Sequence, residues 1–344
     1  MSGKEYKISP AVSKKLDIMR FVLIILVVLI HSLTSPQLAV PGIIPEWFES
    51  IKKGIIDELN VTVPGFFIIA SVLLYRKPFK WADNLSKKLR SLVIPFILIN
   101  VFWIVFFKLM SLIPQTAGLF SAKQYRIDSW LDVYNAFFGE LPLYFPFWFM
   151  RDLILLNILA SILWYITDKV PLIALAAGFV LGISSVPLPF FVNRFCIFYW
   201  VIGAVIVKTG FDLDIIDRLH PAELLIASVA AGVLIWQDMI HYVIAVPVFF
   251  AFIYRISGML SSAGGRSGYL IRAAKQSFFI YAFHEFYEAM LKKAVMSAIP
   301  QPVAVQILEL IVLPAIIIAA CIFAGDLMQK RLPRAYSFIT GRCR

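Results

Sequence analysis

The sequence predicts an all-α, polytopic membrane protein of about ten transmembrane helices, with both termini cytoplasmic. Three observations predict it. Sixty per cent of the 344 residues are apolar or aromatic, only 15% are charged, and the mean hydropathy is +0.84; a soluble domain carries about 25% charged residues. Apolar runs long enough for spans of about 20 residues recur along the chain. The basic residues gather in short segments between those runs, a distribution that orients a chain in a membrane and does not describe a nucleic-acid-binding surface.

The first 17 residues, MSGKEYKISPAVSKKLD, are polar and read as a cytoplasmic tail. No small-residue cleavage site follows the first apolar run, so that run is expected as an uncleaved span. Spans are expected near residues 18–38, 58–76, 91–112, 147–166, 171–186, 188–208, 221–237, 240–257, 275–294 and 302–325. Pro171, Pro187, Pro189 and Pro221 mark the breaks around the shorter ones. Residues 18–325 thus form one membrane domain, and 326–344 a basic cytoplasmic tail. With this even count, 23 of the 32 Lys and Arg fall on the face that holds both termini and nine on the other, the bias expected of a cytoplasmic face. Cys196 and Cys321 lie in apolar segments and Cys343 in the tail; no pair reads as a disulfide or a metal site.

Arg20 and His31 lie eleven residues apart with no charge between them, which sets the histidine roughly 16 Å deeper along a helix. Ionisable side chains in hydrocarbon face a protein interior or a wet cavity and mark candidate functional sites. A lone buried histidine is as readily a packing residue. The segment KQSFFIYAFHEFYEAM, however, brings His284 to a comparable depth, nine residues or roughly 13 Å beyond Lys275. Glu285 adjoins His284, and Glu288 follows one turn on along the same side. A neutral imidazole accepts a proton near pH 7, and a nearby carboxylate orients it.

On the cytoplasmic face, Lys87 and Arg90 share a helix face just before the third span. They read either as ordinary positive flanking charge or as a pair suited to phosphates. Arg255, Arg266, Arg272 and Lys275 add to that face, and a polyanionic ligand entering from the cytoplasm meets both groups. Arg151 and Asp152 follow the aromatic run that holds Trp148; they read as a local ion pair anchoring the helix or as a hold on a polar acceptor arriving from outside. The outer connection 113–146 carries Tyr125, Trp130, Tyr134, Phe137, Phe138, Tyr144 and Phe145, with acids at Asp128, Asp132 and Glu140. It is either an interfacial segment or a platform on which a sugar stacks. Glu309 is a further intramembrane acid with no role assigned.

At these residues the chain resembles the acyltransferase 3 family of integral membrane acyltransferases. KKLDIMRFVLIILVVLIHS resembles the family's opening span, with Arg20 and His31 eleven apart. PGFFIIASVLL resembles the segment written FF-x-x-SG, read at Ala70 and Ser71 with the glycine missing. KKLRSLVIPF resembles the R-x-x-R element, with Lys87 in place of the first arginine; FWFMRDL and SFFIYAFHEF resemble the fourth-span and late-span signatures. The resemblance implies a ten-helix fold that transfers an acyl group, commonly acetyl, from cytoplasmic acyl-CoA to a hydroxyl of a cell-envelope carbohydrate or lipid-linked sugar. It implies His31 as the catalytic residue, Arg20 in support of it or of the donor, and Lys87 with Arg90 on the CoA phosphates. Lys87 keeps the charge but loses the bidentate fork of arginine.

Joined to the residues read above, the expected catalytic set is His31, Arg20, His284 and Glu288, and the donor-binding set is Lys87, Arg90, Arg272 and Lys275. Arg151, Asp152 and Trp148 form the acceptor set. Acyl-CoA, acetyl-CoA first, is the expected donor substrate; the glycan acceptor and membrane lipids are the expected partners, with no nucleic acid and no metal. The expected location is a bacterial inner membrane. The alternative is a proton-coupled transporter using His31, His284 and Glu309 as a relay, although the repeated halves and matched broken helices of transporters are not seen in the sequence.

Overall fold

The computed structural model describes residues 6–33, 46–59, 62–78, 80–113, 127–139, 142–184, 186, 188, 193–264, 266–298 and 302–342. Every regular element among them is a helix: α1 (Pro10–Leu33), α2 (Glu46–Leu59), α3 (Thr62–Tyr75), and α4 (Trp81–Lys88), which runs through a π-helical turn (Leu89–Val93) into α5 (Ile94–Leu112). There follow α6 (Trp130–Phe138), α7 (Phe147–Lys169), α8 (Pro171–Ile183), α9 (Phe195–Thr209), a 3₁₀ turn (Leu213–Arg218) and α10 (Pro221–Trp236). The chain closes with α11 (Tyr242–Ser261), α12 (Arg266–Ala274), α13 (Ser277–Ala298), α14 (Val303–Arg331) and α15 (Pro333–Ile339).

Each of the ten expected spans overlaps a helix among the described residues. Four stretches are long and apolar enough to cross a membrane: Trp81–Leu112, α7, α11 and α14; α3, α8, α9 and α10 are shorter apolar helices. Pro171 and Pro221 open α8 and α10, where the missing N–H forfeits no intrahelical bond. Pro187, Pro189 and Cys343 lie outside the described residues, as do Tyr125 and Glu140 of the outer connection. Cys196 and Cys321 are buried within α9 and α14.

Helices α2, α6, α12 and α15 lie outside the expected spans, and the first two are the most informative. The stretch ahead of α3 forms α2, which a hydropathy reading passes over because Glu49, Lys52 and Lys53 interrupt its apolar residues. Its pattern is inverted: Trp47, Ile51 and Ile55 recur every four residues and are exposed, while Phe48 and Lys52 are buried. The outer connection likewise contains α6. Ser129 accepts a hydrogen bond from the Asp132 amide, and Asp132 accepts one from the Ser129 amide, the reciprocal cap that starts a helix.

The described chain divides into two units. The first comprises Met1–Pro78, Leu163–Ser185 and Phe195–Asp326. Helix α1 is its hub, packing against α2, α3, α11, α12 and α13, with Leu16, Ile18, Met19, Leu23, Ile24 and Val28 buried. Its N-terminal end is tied down by polar contacts. The Tyr6 amide donates to the Arg76 carbonyl at 2.9 Å and the Tyr6 hydroxyl to the Phe211 carbonyl at 2.6 Å. Lys14 donates to the Ser261 carbonyl at 2.7 Å, and Lys15 bridges Asp214, at 2.7 Å, and Asp217. In the same unit α3 and α9 come together at Gly203. The Ser71 hydroxyl donates to the Trp200 carbonyl at 2.6 Å, and the Trp200 indole donates to the Tyr75 hydroxyl at 2.9 Å.

The second unit comprises Phe79–Ile162, Val186–Arg194 and Leu327–Arg344. In it Trp103 of α5 stacks on Tyr144 with ring centroids 5.0 Å apart, and α15 packs on α5. Gly341, at φ +66°, lies against the Ser91 carbonyl in the π-helical turn; only a residue without Cβ takes that conformation and that approach freely. Along α5, Ile97, Leu98, Val101, Phe102, Val105 and Leu109 are exposed, as suits a helix apolar on all sides in lipid.

A Cβ on Gly203 would stand 2.6 Å from both the Ile68 carbonyl oxygen and Ser71 Cβ. Gly203→Ala is therefore expected to destabilise the protein by about 1–3 kcal/mol through overpacking, read as a lower thermal midpoint in detergent.

Candidate active site

The end of α1 and the inward side of α13 build the most concentrated polar cluster of the first unit. His31 lies two residues before Leu33, the last described residue of α1. On α13, His284, Glu288 and Lys292 follow at four-residue intervals, so they form one stripe along the helix. All three are buried. The rings of His31 and His284 meet edge to face, with centroids 5.1 Å apart and an interplanar angle of 60°.

The backbone decides the form of His284. Its Nδ1 lies 3.0 Å from both the Ile280 and the Tyr281 carbonyl oxygens. Two acceptors require a donor between them, which assigns the proton to Nδ1 of the neutral ring. Nε2 is then a lone pair, buried and with no hydrogen-bond partner among the described residues. An imidazole fixed in one tautomer by its other nitrogen is the usual arrangement of a proton-handling histidine.

Lys292 joins the two helices. Its ammonium donates to the His31 carbonyl at 2.7 Å and lies 3.5 Å from the Glu288 carboxylate. Lys52 of α2 and Glu309 of α14 are within electrostatic reach of Lys292. Lys52 is itself paired with Glu49 and stands over the Phe48 ring at 5.3 Å. Neither lysine figured in the expected site. Lys292 had a legible signal, its position two turns beyond His284 on the same stripe; Lys52 had none, because α2 was not recognised as a helix.

The other expected residues are placed elsewhere. Arg20 pairs with Asp17 and its side chain is 42% exposed; three turns of helix, roughly 16 Å, separate it from His31. Arg272 and Lys275 are exposed in the first unit. Lys87 and Arg90 belong to the second unit, both exposed, with Arg90 inside the π-helical turn and neither in an ion pair among the described residues. Arg151 and Asp152 are buried at the start of α7 with their charges 4.0 Å apart. Arg151 donates to the Gly139 carbonyl at 2.6 Å, and Asp152 accepts from the Asn193 amide at 3.0 Å. These two side chains hold neighbouring backbone in place, and Trp148 beside them is half-buried.

Among the described residues every regular element is a helix, several are apolar and of membrane-crossing length, and the ring of half-buried His31 meets that of buried His284, the features of a multi-pass membrane protein with a polar cluster inside it. The chain belongs to the acyltransferase 3 family, whose acyltransferase-domain model matches residues 13–327. It is similar to the succinoglycan biosynthesis protein ExoH of Rhizobium meliloti (strain 1021), 27% identical over 258 residues. That match covers 70% of this chain and 63% of the relative's length. No solved structure matches.

Replacing Asp152 with leucine removes the acceptor of the Asn193 amide and the carboxylate beside the buried Arg151. The expected loss is about 1–3 kcal/mol, visible as a lower thermal midpoint.

Proposed function

We propose that the protein is a membrane-embedded O-acyltransferase. It moves an acyl group, acetyl in the simplest case, from cytoplasmic acyl-CoA to a hydroxyl of a cell-envelope polysaccharide or lipid-linked glycan at a bacterial inner membrane. In this reading the chain crosses the membrane about ten times, with both termini cytoplasmic. The observation that carries it is the contact between the half-buried His31 ring and the buried His284 ring in a chain of the acyltransferase 3 family. The rhizobial relative's part in succinoglycan biosynthesis supports a polysaccharide acceptor.

His31 takes the proton of the acceptor hydroxyl as its oxygen attacks the thioester carbonyl. The carbon–sulfur bond breaks, and the same proton goes to the departing sulfur, so the products are an ester and free CoA. His284, held with its proton on Nδ1, presents an unprotonated nitrogen to this exchange and keeps a second basic site beside the first. Lys87 and Arg90 of the second unit, exposed and in no ion pair among the described residues, are basic groups suited to the donor's phosphates; in the first unit Arg272 and Lys275 are exposed basic groups of the same kind. Arg20, joined to Asp17 and distant from the rings, acts on the donor in this scheme and not on His31.

The test is transfer from radiolabelled acetyl-CoA by purified protein in nanodiscs, using acceptor glycan from the native envelope. His31→Ala is expected to lower transfer by about 10²–10⁴-fold with an unchanged thermal midpoint. Parental transfer in that variant overturns the assignment, and flux of a substrate across the membrane without acylation points to the transporter.

A further inference from the structure

One helix contacts His31 at two places. His284 meets its ring, and Lys292, eight residues further along α13, meets its main-chain carbonyl. That carbonyl sits in the last described turn of α1. An ammonium is a strong donor for it. Burying an ammonium costs several kcal/mol unless an opposite charge accompanies it, and Glu288, between the two contacting residues on the same stripe, supplies that charge.

We propose that Lys292 is a positioning residue for His31: its ammonium fixes the histidine's backbone along α1, so that the ring seats against His284. Glu288 is the counter-ion that allows Lys292 to be buried. The kinetic consequence rests on the acyl-transfer reading above; the positional one does not.

Two neighbouring possibilities are distinguished by chemistry. If Lys292 only neutralises Glu288, removing it is harmless once Glu288 is neutral. If it positions His31, its removal still costs turnover when Glu288 is neutral, though less than in the parent, because the ammonium there has lost its counter-ion. A double-mutant cycle separates the two. Lys292→Met keeps most of the side-chain volume and removes the donor; Lys292→Arg keeps donor and charge; Glu288→Gln supplies the neutral background.

In nanodiscs, Lys292→Met is expected to lower kcat by about 10–100-fold, the scale of a misplacement near 1 Å, while KM for acetyl-CoA is unchanged. The loss recurs when Lys292→Met is made in the Glu288→Gln background, and Lys292→Arg recovers most of it. The activity-independent measurement is the rate at which diethyl pyrocarbonate modifies His31, followed by peptide mass spectrometry. That rate is expected to rise several-fold in Lys292→Met and in the double variant, and to stay near parental in Lys292→Arg.

An unchanged labelling rate in Lys292→Met overturns the proposal, whatever the kinetics. So does a double variant that regains the turnover of Glu288→Gln alone. If His31→Ala retains transfer while labelling still responds to Lys292→Met, the acyl-transfer reading fails and the positioning role stands.

Discussion

The first unit is organised around a polar stripe buried in an apolar bundle. Helix α1 packs against five other helices, and the polar groups near His31 lie within that packing. Buried charges must be paired, and buried backbone acceptors need donors. The stripe of His284, Glu288 and Lys292 on α13 meets these demands together: a ring against a ring, an ammonium on a carbonyl, a carboxylate beside the ammonium. The position of His31 follows from this contact as much as from the apolar packing that surrounds the rest of α1.

Most of this stripe was visible in the sequence because helical geometry is regular. Counting residues from Arg20 and from Lys275 set the two histidines at comparable depth, and the rings lie 5.1 Å apart. The same counting carries Glu288 to Lys292, since four residues are one turn. The lysine was passed over for a chemical reason: near the end of an apolar run, a basic residue reads as a solvated flank. Burial reverses that reading, and burial depends on which helices pack alongside, which no periodicity within α13 reports.

Other residues were legible in type but not in role. Arg151 and Asp152 read from the sequence as an anchor or as an acceptor site; in the structure they bond the Gly139 carbonyl and the Asn193 amide. Those partners lie 12 and 41 residues away, a tertiary fact outside any local pattern. Helix α2 failed to register because a window average of hydropathy assumes that apolar means inward. With Trp47, Ile51 and Ile55 outward and Lys52 inward beside Phe48, the helix does not follow that assumption. Helix α6 was different again, since its Ser129–Asp132 cap is a readable start signal hidden by its place in a long connection.

The spacing between Arg20 and His31 makes a final point about what a motif encodes. Eleven residues are three helical turns, so the two side chains share a face of α1 without touching. Arg20 pairs with Asp17, while Lys14 and Lys15 join the same end of the helix to Ser261, Asp214 and Asp217. His31 is held at the other end by α13. One helix therefore carries a charged, tethered end and a histidine end at a set separation. A spacing on such a helix specifies a distance between two environments, and the chemistry of each is set by the different helices that pack there.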